Sequence, residues 1–163
     1  MILKDQVEIL LVEDDPEDLD LTMRALTAEH VCNRIHVARD GEEALDFLFC
    51  LGPYSERDPD CHPKLILLDL KLPKVDGLEV LEQIKHDPRT SAIPLVVLTS
   101  SKQERDLEQC YRLGINSYIQ KPVEFEQFQS TVKRIGYYWL LINQAPPPLG
   151  FNAGIPDETT SGK

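Results

Sequence analysis

Residues 65–70 read Leu65-Ile66-Leu67-Leu68-Asp69-Leu70, an apolar run broken by a single carboxylate. A strand buried on both faces carries Val, Ile and Leu along its length. An ionised Asp inside such a strand costs on the order of several kcal/mol unless it is paired. Asp69 is therefore expected where the strand opens to solvent, beside a cation.

Working outward, short apolar runs of the same kind alternate with stretches of helical periodicity. Val7-Glu8-Ile9-Leu10-Leu11-Val12 reads as a first strand. Pro16 then opens a helix, at a position where its missing N–H does no harm. Leu19, Met23 and Leu26 recur at helical spacing. Ile35-His36-Val37-Ala38 is a second strand, followed by a helix from Asp40 or Gly41 that carries Ala44, Leu45, Leu48 and Phe49. Residues 52–63, GPYSERDPDCHP, are polar and rich in Pro and Asp, and read as a loop inserted before the central strand. After that strand, Pro73 and Gly77 bracket a turn into a helix with Leu78, Leu81 and Ile84. Pro94-Leu95-Val96-Val97-Leu98-Thr99 is a fourth strand. Residues 102–113 form a helix closed by Gly114, and Ser117-Tyr118-Ile119 is a fifth strand ending at Lys121-Pro122. A last helix spans about residues 124–143 until Pro146-Pro147-Pro148 stops it. The pattern is βα repeated five times. It predicts an α/β fold: one parallel five-stranded sheet, doubly wound, with helices on both faces. Residues 1–145 form the domain, and 146–163 a Pro-rich tail.

Bulk properties agree. A chain of 163 residues suits one domain and a tail. A formal net charge of −11 argues against non-specific nucleic-acid binding, which relies on Lys and Arg. No apolar run approaches the roughly 20 residues that span a bilayer. The amino-terminal stretch lacks the plan of a signal peptide, so a cytoplasmic location is expected. The four cysteines, Cys32, Cys50, Cys61 and Cys110, contain no CxxC pair and are expected to be reduced. Cys61-His62 alone is a weak metal signal.

Doubly wound sheets place ligands beyond the carboxyl ends of their strands. There the first strand offers Glu13, Asp14 and Asp15, and the third offers Asp69. The fourth offers Thr99, Ser100 and Ser101, and the fifth Lys121. Two ionised carboxylates about 5 Å apart repel by roughly 3 kcal/mol at an effective dielectric of 20. Three in one pocket call for a cation beyond one lysine, and oxygen-only ligands favour Mg²⁺. In the alternative reading, Asp14 or Asp15 caps the helix opened by Pro16. A carboxylate beside Mg²⁺, a hydroxyl and an ammonium suits phosphoryl transfer, with the carboxylate as nucleophile. A nucleotide is a poorer fit, because no GxxxxGK[ST] or GxGxxG motif is present.

The segments ILLVEDDPEDL, LILLDLKLPKVDGLEVL, PLVVLTSS and SYIQKPV together resemble the CheY-like receiver domain of two-component response regulators. The resemblance implies that Asp69 is the phosphoacceptor. It implies Asp15 as the direct Mg²⁺ ligand, Asp14 as an acid acting through water, and the main-chain carbonyl of Lys71 as a further ligand. Thr99 and Lys121 match the family's switch hydroxyl and lysine, and Tyr118 matches the aromatic whose rotamer follows phosphorylation. Lys121-Pro122 is similar to the family's cis bond. Lys71 and Ser101 occupy positions that tune hydrolysis of the acyl phosphate. Such a protein is not an enzyme for another substrate, although it promotes its own phosphorylation and dephosphorylation.

The 52–63 insertion, the YYWLLINQAPP helix end and the Pro-rich tail are similar to the single-domain regulators that partner phytochrome-type histidine kinases. Phe125, Phe128, Val132, Ile135, Trp139 and Ile142 step at helical spacing and are expected to face the sheet. Tyr137, Tyr138, Leu140 and Leu141 then crowd the remaining faces. A helix apolar all round needs more than one cover. Either the tail folds back through Leu149 and Phe151, or a symmetric dimer forms through Tyr137, Tyr138, Trp139 and Leu141. Two other functions stay open at this point. One is a phosphate-independent interaction module. The other is an aspartyl-phosphate hydrolase, against which Lys71 stands where a second acid is needed.

Overall fold

The computed structural model describes residues 7–28, 34–122 and 124–147. Five strands, β1 (Ile9–Val12), β2 (Ile35–Ala38), β3 (Leu65–Leu68), β4 (Leu95–Thr99) and β5 (Ser117–Gln120), form one sheet in the order β2-β1-β3-β4-β5. Every pairing is parallel. Between them run α1 (Pro16–Thr27), α2 (Gly41–Phe49), α3 (Gly77–His86) and α4 (Glu104–Leu113), and α5 (Phe125–Tyr137) follows β5. The doubly wound α/β architecture matches the sequence expectation. The tail from residue 148 onward, with Leu149 and Phe151, and Cys32 lie outside the described residues.

Side chains along the strands alternate between two apolar layers, as the period of two requires. Leu10, Val12, Ile66, Leu68 and Val97 face α2, α3 and α4. Ile9, Leu11, Leu65, Leu67, Val96 and Leu98 face α1 and α5. All four residues of β3 are buried, whereas the edge strands β2 and β5 are largely half-exposed. That explains why β3 reads as a continuous apolar run and β2 does not. Among the described residues no helix is long and apolar enough to cross a membrane.

Three local details differ from the sequence expectation. β1 begins at Ile9, two residues after Val7. The Lys121-Pro122 bond is trans, since the described chain holds no cis peptide; Lys121 reaches its partners without one. The third difference is at the end of the last helix. After Tyr137, α5 widens into a π-helical turn, Tyr138–Ile142, closed by Asn143 N–H donating to the Tyr138 carbonyl at 2.7 Å. An i→i+5 turn shifts the phase of every side chain beyond it. Leu140 is buried as a result, and Ile142, expected to face the sheet, is exposed. Phe125, at the first turn, is also exposed.

Gly77 marks where the loop after β3 folds back. A Cβ there would lie 2.4 Å from Leu70 Cα and 2.5 Å from Leu70 O, so only glycine lets α3 start so close to the strand end.

Candidate functional site at the carboxyl ends of the strands

Strand register brings distant residues together. Val12 pairs with Leu68, so Glu13 and Asp69 leave β1 and β3 side by side, and Asp69 N–H donates to the Val12 carbonyl at 3.0 Å. Thr99 pairs with Gln120, so Lys121 follows directly, and its N–H donates to the Thr99 carbonyl at 2.7 Å. Thr99 is fully buried and Asp69 is 7 % exposed.

The Lys121 ammonium is the hub. Its Nζ lies 2.6 Å from Glu13 Oε2, 2.8 Å from Asp18 Oδ2 and 2.9 Å from Asp69 Oδ2. Burial alone would lower its pKa, but Asp69, Asp18 and Glu13 together raise it. Lys121 is therefore a fixed positive charge over the whole physiological range. Glu13 titrates differently. Burial first, then repulsion from Asp69, pushes its carboxyl up to about 7, against the pull of Lys121.

Carboxylate oxygens of Glu13, Asp14 and Asp69 all lie within 4.8 Å of one another. Together with Asp18, four carboxyl groups crowd one ammonium. That crowding and an all-oxygen donor set fit a hard divalent cation. Asp14 is exposed and also borders an open cleft of about 300 Å³ floored by Pro16, Leu19 and Met23.

The structure moves the acid pair by one residue. Asp15, expected as the direct metal ligand, is instead the N-cap of α1. Its Oδ1 accepts from Asp18 N–H at 2.9 Å, and Asp15 is not in the carboxylate cluster. Glu13 takes the second place beside Asp14. The signal was available: Pro16 at the first helical position makes the residue before it the cap. Asp18 was missed altogether.

The hydroxyl side of the site is also ordered. Thr99 Oγ1 accepts from Ser101 N–H at 3.2 Å, which leaves its own proton free to donate. Ser101 Oγ donates to Asp106 Oδ2 at 2.6 Å, tying the loop after β4 to the first turn of α4. Tyr118 Oη, half-buried, donates to the Ser101 carbonyl at 3.3 Å. The exposed Lys71 donates its N–H to Asp69 Oδ1 at 3.2 Å, so the loop after β3 orients the central carboxylate. Tyr137, Tyr138 and Leu141 are exposed at the far end of the last helix, while Trp139 is half-buried against the α1–α5 layer.

This arrangement has known counterparts. Residues 9–133 match the family described as the response regulator receiver domain. The chain belongs to that family. Receivers of this family serve as phosphoacceptors in two-component signalling, without enzymatic turnover of a separate substrate. The receiver is 46 % identical over 145 residues to a probable methanogenesis regulatory protein, FilR2, of Methanothrix harundinacea, covering 89 % of this chain and 91 % of that protein. It is 42 % identical over 132 residues to response regulator Rcp1 of Synechocystis, covering 81 % and 88 %. A crystal structure of Mn²⁺-bound Rcp1 superposes with a TM-score of 0.80 at 38 % identity, covering 86 % of this receiver and 99 % of that chain. The phosphorylated cyanobacterial phytochrome response regulator RcpA superposes equally well, with a TM-score of 0.80 at 41 % identity and the same coverage. The family match ends at residue 133, before the aromatic turn at 138–142.

Proposed function

We propose that this receiver accepts a phosphoryl group on Asp69 from a phytochrome-type histidine kinase, in a Mg²⁺-dependent reaction in the cytoplasm. The observation that carries the reading is the Lys121 ammonium, held at hydrogen-bond distance from carboxylates of two different strand ends, one of them Asp69. The kinase class rests on likeness to Rcp1 and RcpA. Residues 1–145 are read as the receiver and 146–163 as an appended tail.

Glu13, Asp14 and Asp69, with the main-chain carbonyl of Lys71, would hold the metal; Asp15 is occupied as a cap. When bound, Mg²⁺ neutralises charge on the phosphoryl oxygens. An Asp69 oxygen attacks phosphorus in line with the leaving imidazole of the donor. Lys121 and the free proton of Thr99 hold equatorial oxygens, where charge spreads in a loose transition state. These same groups let the receiver promote its own phosphorylation and hydrolysis, with Lys71 and Ser101 beside the acyl phosphate.

After transfer, Thr99 is drawn toward Asp69. Its bond from Ser101 N–H is lost, and that displaces the Ser101 carbonyl that holds Tyr118. Tyr118 turns inward, and the Ser101–Asp106 bond carries the shift to α4. Local charge thus biases a packed element with two arrangements. The output is a protein contact on the α4–β5–α5 face or onward phosphotransfer. A homodimer forms through Tyr137, Tyr138 and Leu141, with the half-buried Trp139 beside them, because exposed large apolar side chains grouped at one helix end mark a contact surface.

Incubating the receiver with an autophosphorylated phytochrome-type kinase tests the partner class. Label should pass to the receiver within minutes and leave the kinase. Retention on the kinase, with ready labelling by acetyl phosphate, would reject the partner and keep the phosphoacceptor.

A further inference from the structure

Asp18 sits at the third position of α1, where an acid ordinarily turns back to bond the N-cap N–H. Here that N–H is already taken. Asp15 N–H donates to Glu13 Oε1 at 3.1 Å, so Asp18 is released from the capping role. Its Oδ2 reaches Lys121 Nζ at 2.8 Å instead. An ammonium has three protons, and in this receiver all three have carboxylate acceptors: Glu13, Asp18 and Asp69.

We infer that Asp18 is a positioning residue for Lys121 that competes with an incoming phosphoryl group for the ammonium. The inference rests on Asp69 being the phosphoacceptor. A phosphoryl oxygen can engage Lys121 only by replacing one of the three carboxylates. The side chains of Glu13 and Asp69 are 4 % and 8 % exposed, whereas that of Asp18 is 34 % exposed. Asp18 is thus the acceptor that water can most readily take over when released. It also stands in the first turn of α1, where the helix N-terminus stabilises its charge after the bond is broken. The consequence is a receiver whose lysine is preset close to the acceptor yet partly withheld, and whose resting state is favoured over the loaded one.

The test is titration with beryllium trifluoride, a mimic of the phosphoryl group that forms no lasting covalent product, at saturating Mg²⁺. Bound fluoride is followed by ¹⁹F NMR, in wild type, Asp18→Asn, Asp18→Glu and Asp20→Asn. Asp20 is a charge-matched control on the same helix, paired with Arg24 at the surface and not with Lys121. Asp18→Asn should bind about two- to fivefold more tightly than wild type, the size expected for removing one competing, partly exposed ion pair. Asp18→Glu, which restores the charge, should return toward wild type, and Asp20→Asn should differ little from it. Equal tightening by Asp18→Asn and Asp20→Asn would show a mere through-space charge effect and overturn the proposal. Weaker binding by a folded Asp18→Asn, checked by its thermal melt, would overturn it as well. If wild type takes up no beryllium trifluoride, or Asp69→Asn takes up as much, the phosphoacceptor assignment itself falls and this inference with it.

Discussion

The acid pocket and the aromatic end of the last helix break the usual partition of side chains in opposite directions. In the pocket, charged groups are buried, yet each has a partner: Lys121 bonds three carboxylates, and no buried side-chain polar atom among the described residues lacks a hydrogen bond. At the helix end, Tyr137, Tyr138, Leu141 and Ile142 are exposed, and Tyr138 meets the half-buried Trp139 edge to face at 5.1 Å. The pocket closes its balance within the chain, apart from a cation. The helix end, by contrast, leaves those four side chains exposed among the described residues. Buried polarity that is paired points to chemistry, and exposed apolar surface that is unpaired points to association.

Removing the hub should have the largest effect. Lys121→Ala leaves Glu13 and Asp69 buried without their cation and should destabilise the fold by about 3 kcal/mol in urea at pH 8 without divalent metal. No loss would mean that the carboxylates do not depend on the ammonium, and the contrast drawn above would fail.

The helix end allows a sharper comparison between neighbours. Leu140 is 8 % exposed and Leu141 is 59 % exposed. Leu140→Ala should cost the monomer about 2–3 kcal/mol, as core truncations do. Leu141→Ala, with Tyr138→Ala, should change monomer stability by no more than about 0.5 kcal/mol while lowering the mass seen in sedimentation. An unchanged mass would remove the dimer; a large loss of stability would place these residues in the core.

Much of this was legible in the sequence, for identifiable reasons. β3 and β4 are buried on both faces, so their runs of Leu, Ile and Val needed no partner information to be read. The gathering of Asp69, Thr99 and Lys121 at one rim was legible because polar residues at the ends of apolar strands have only one place to go. The acid pair was misplaced because Glu13, Asp14 and Asp15 are three successive acids. Which two face the pocket depends on where β1 ends and α1 is capped, a matter of one residue. Asp18 was hidden because its reach to Lys121 depends on Glu13 occupying the Asp15 N–H, a contact across the site rather than along the chain. The phase of residues 138–142 was misread because a π-turn leaves no mark in a period of 3.6.

The 52–63 insertion lies between the two extremes and should give the smallest effect. His36 stacks on Phe47 at 4.1 Å and shares a hydrogen bond with Tyr54, while Arg57 covers the other ring face at 3.6 Å. Burial holds the His36 and His62 imidazoles below their ordinary range. The unfolded chain therefore takes up protons that the folded chain resists, and stability falls as pH drops through about 6.5. Glu13 slopes the other way between pH 4.5 and about 7, since its raised carboxyl binds its proton more tightly when folded. The difference between wild type and His36→Asn isolates the histidine. The variant's melting temperature should fall less steeply than wild type's from pH 7.5 to 5.5. Parallel curves would show that His36 titrates as it does in the unfolded chain.

The central claim is that the pocket exists to seat a phosphoryl group on one carboxylate. Incubation with acetyl phosphate and Mg²⁺, followed by intact-mass analysis and borohydride trapping of the acyl phosphate, tests it most directly. The account predicts a single added phosphoryl group, mapped to Asp69, absent in Asp69→Asn and absent when the metal is chelated. An unmodified wild-type chain, or a group mapped to another residue, would contradict it.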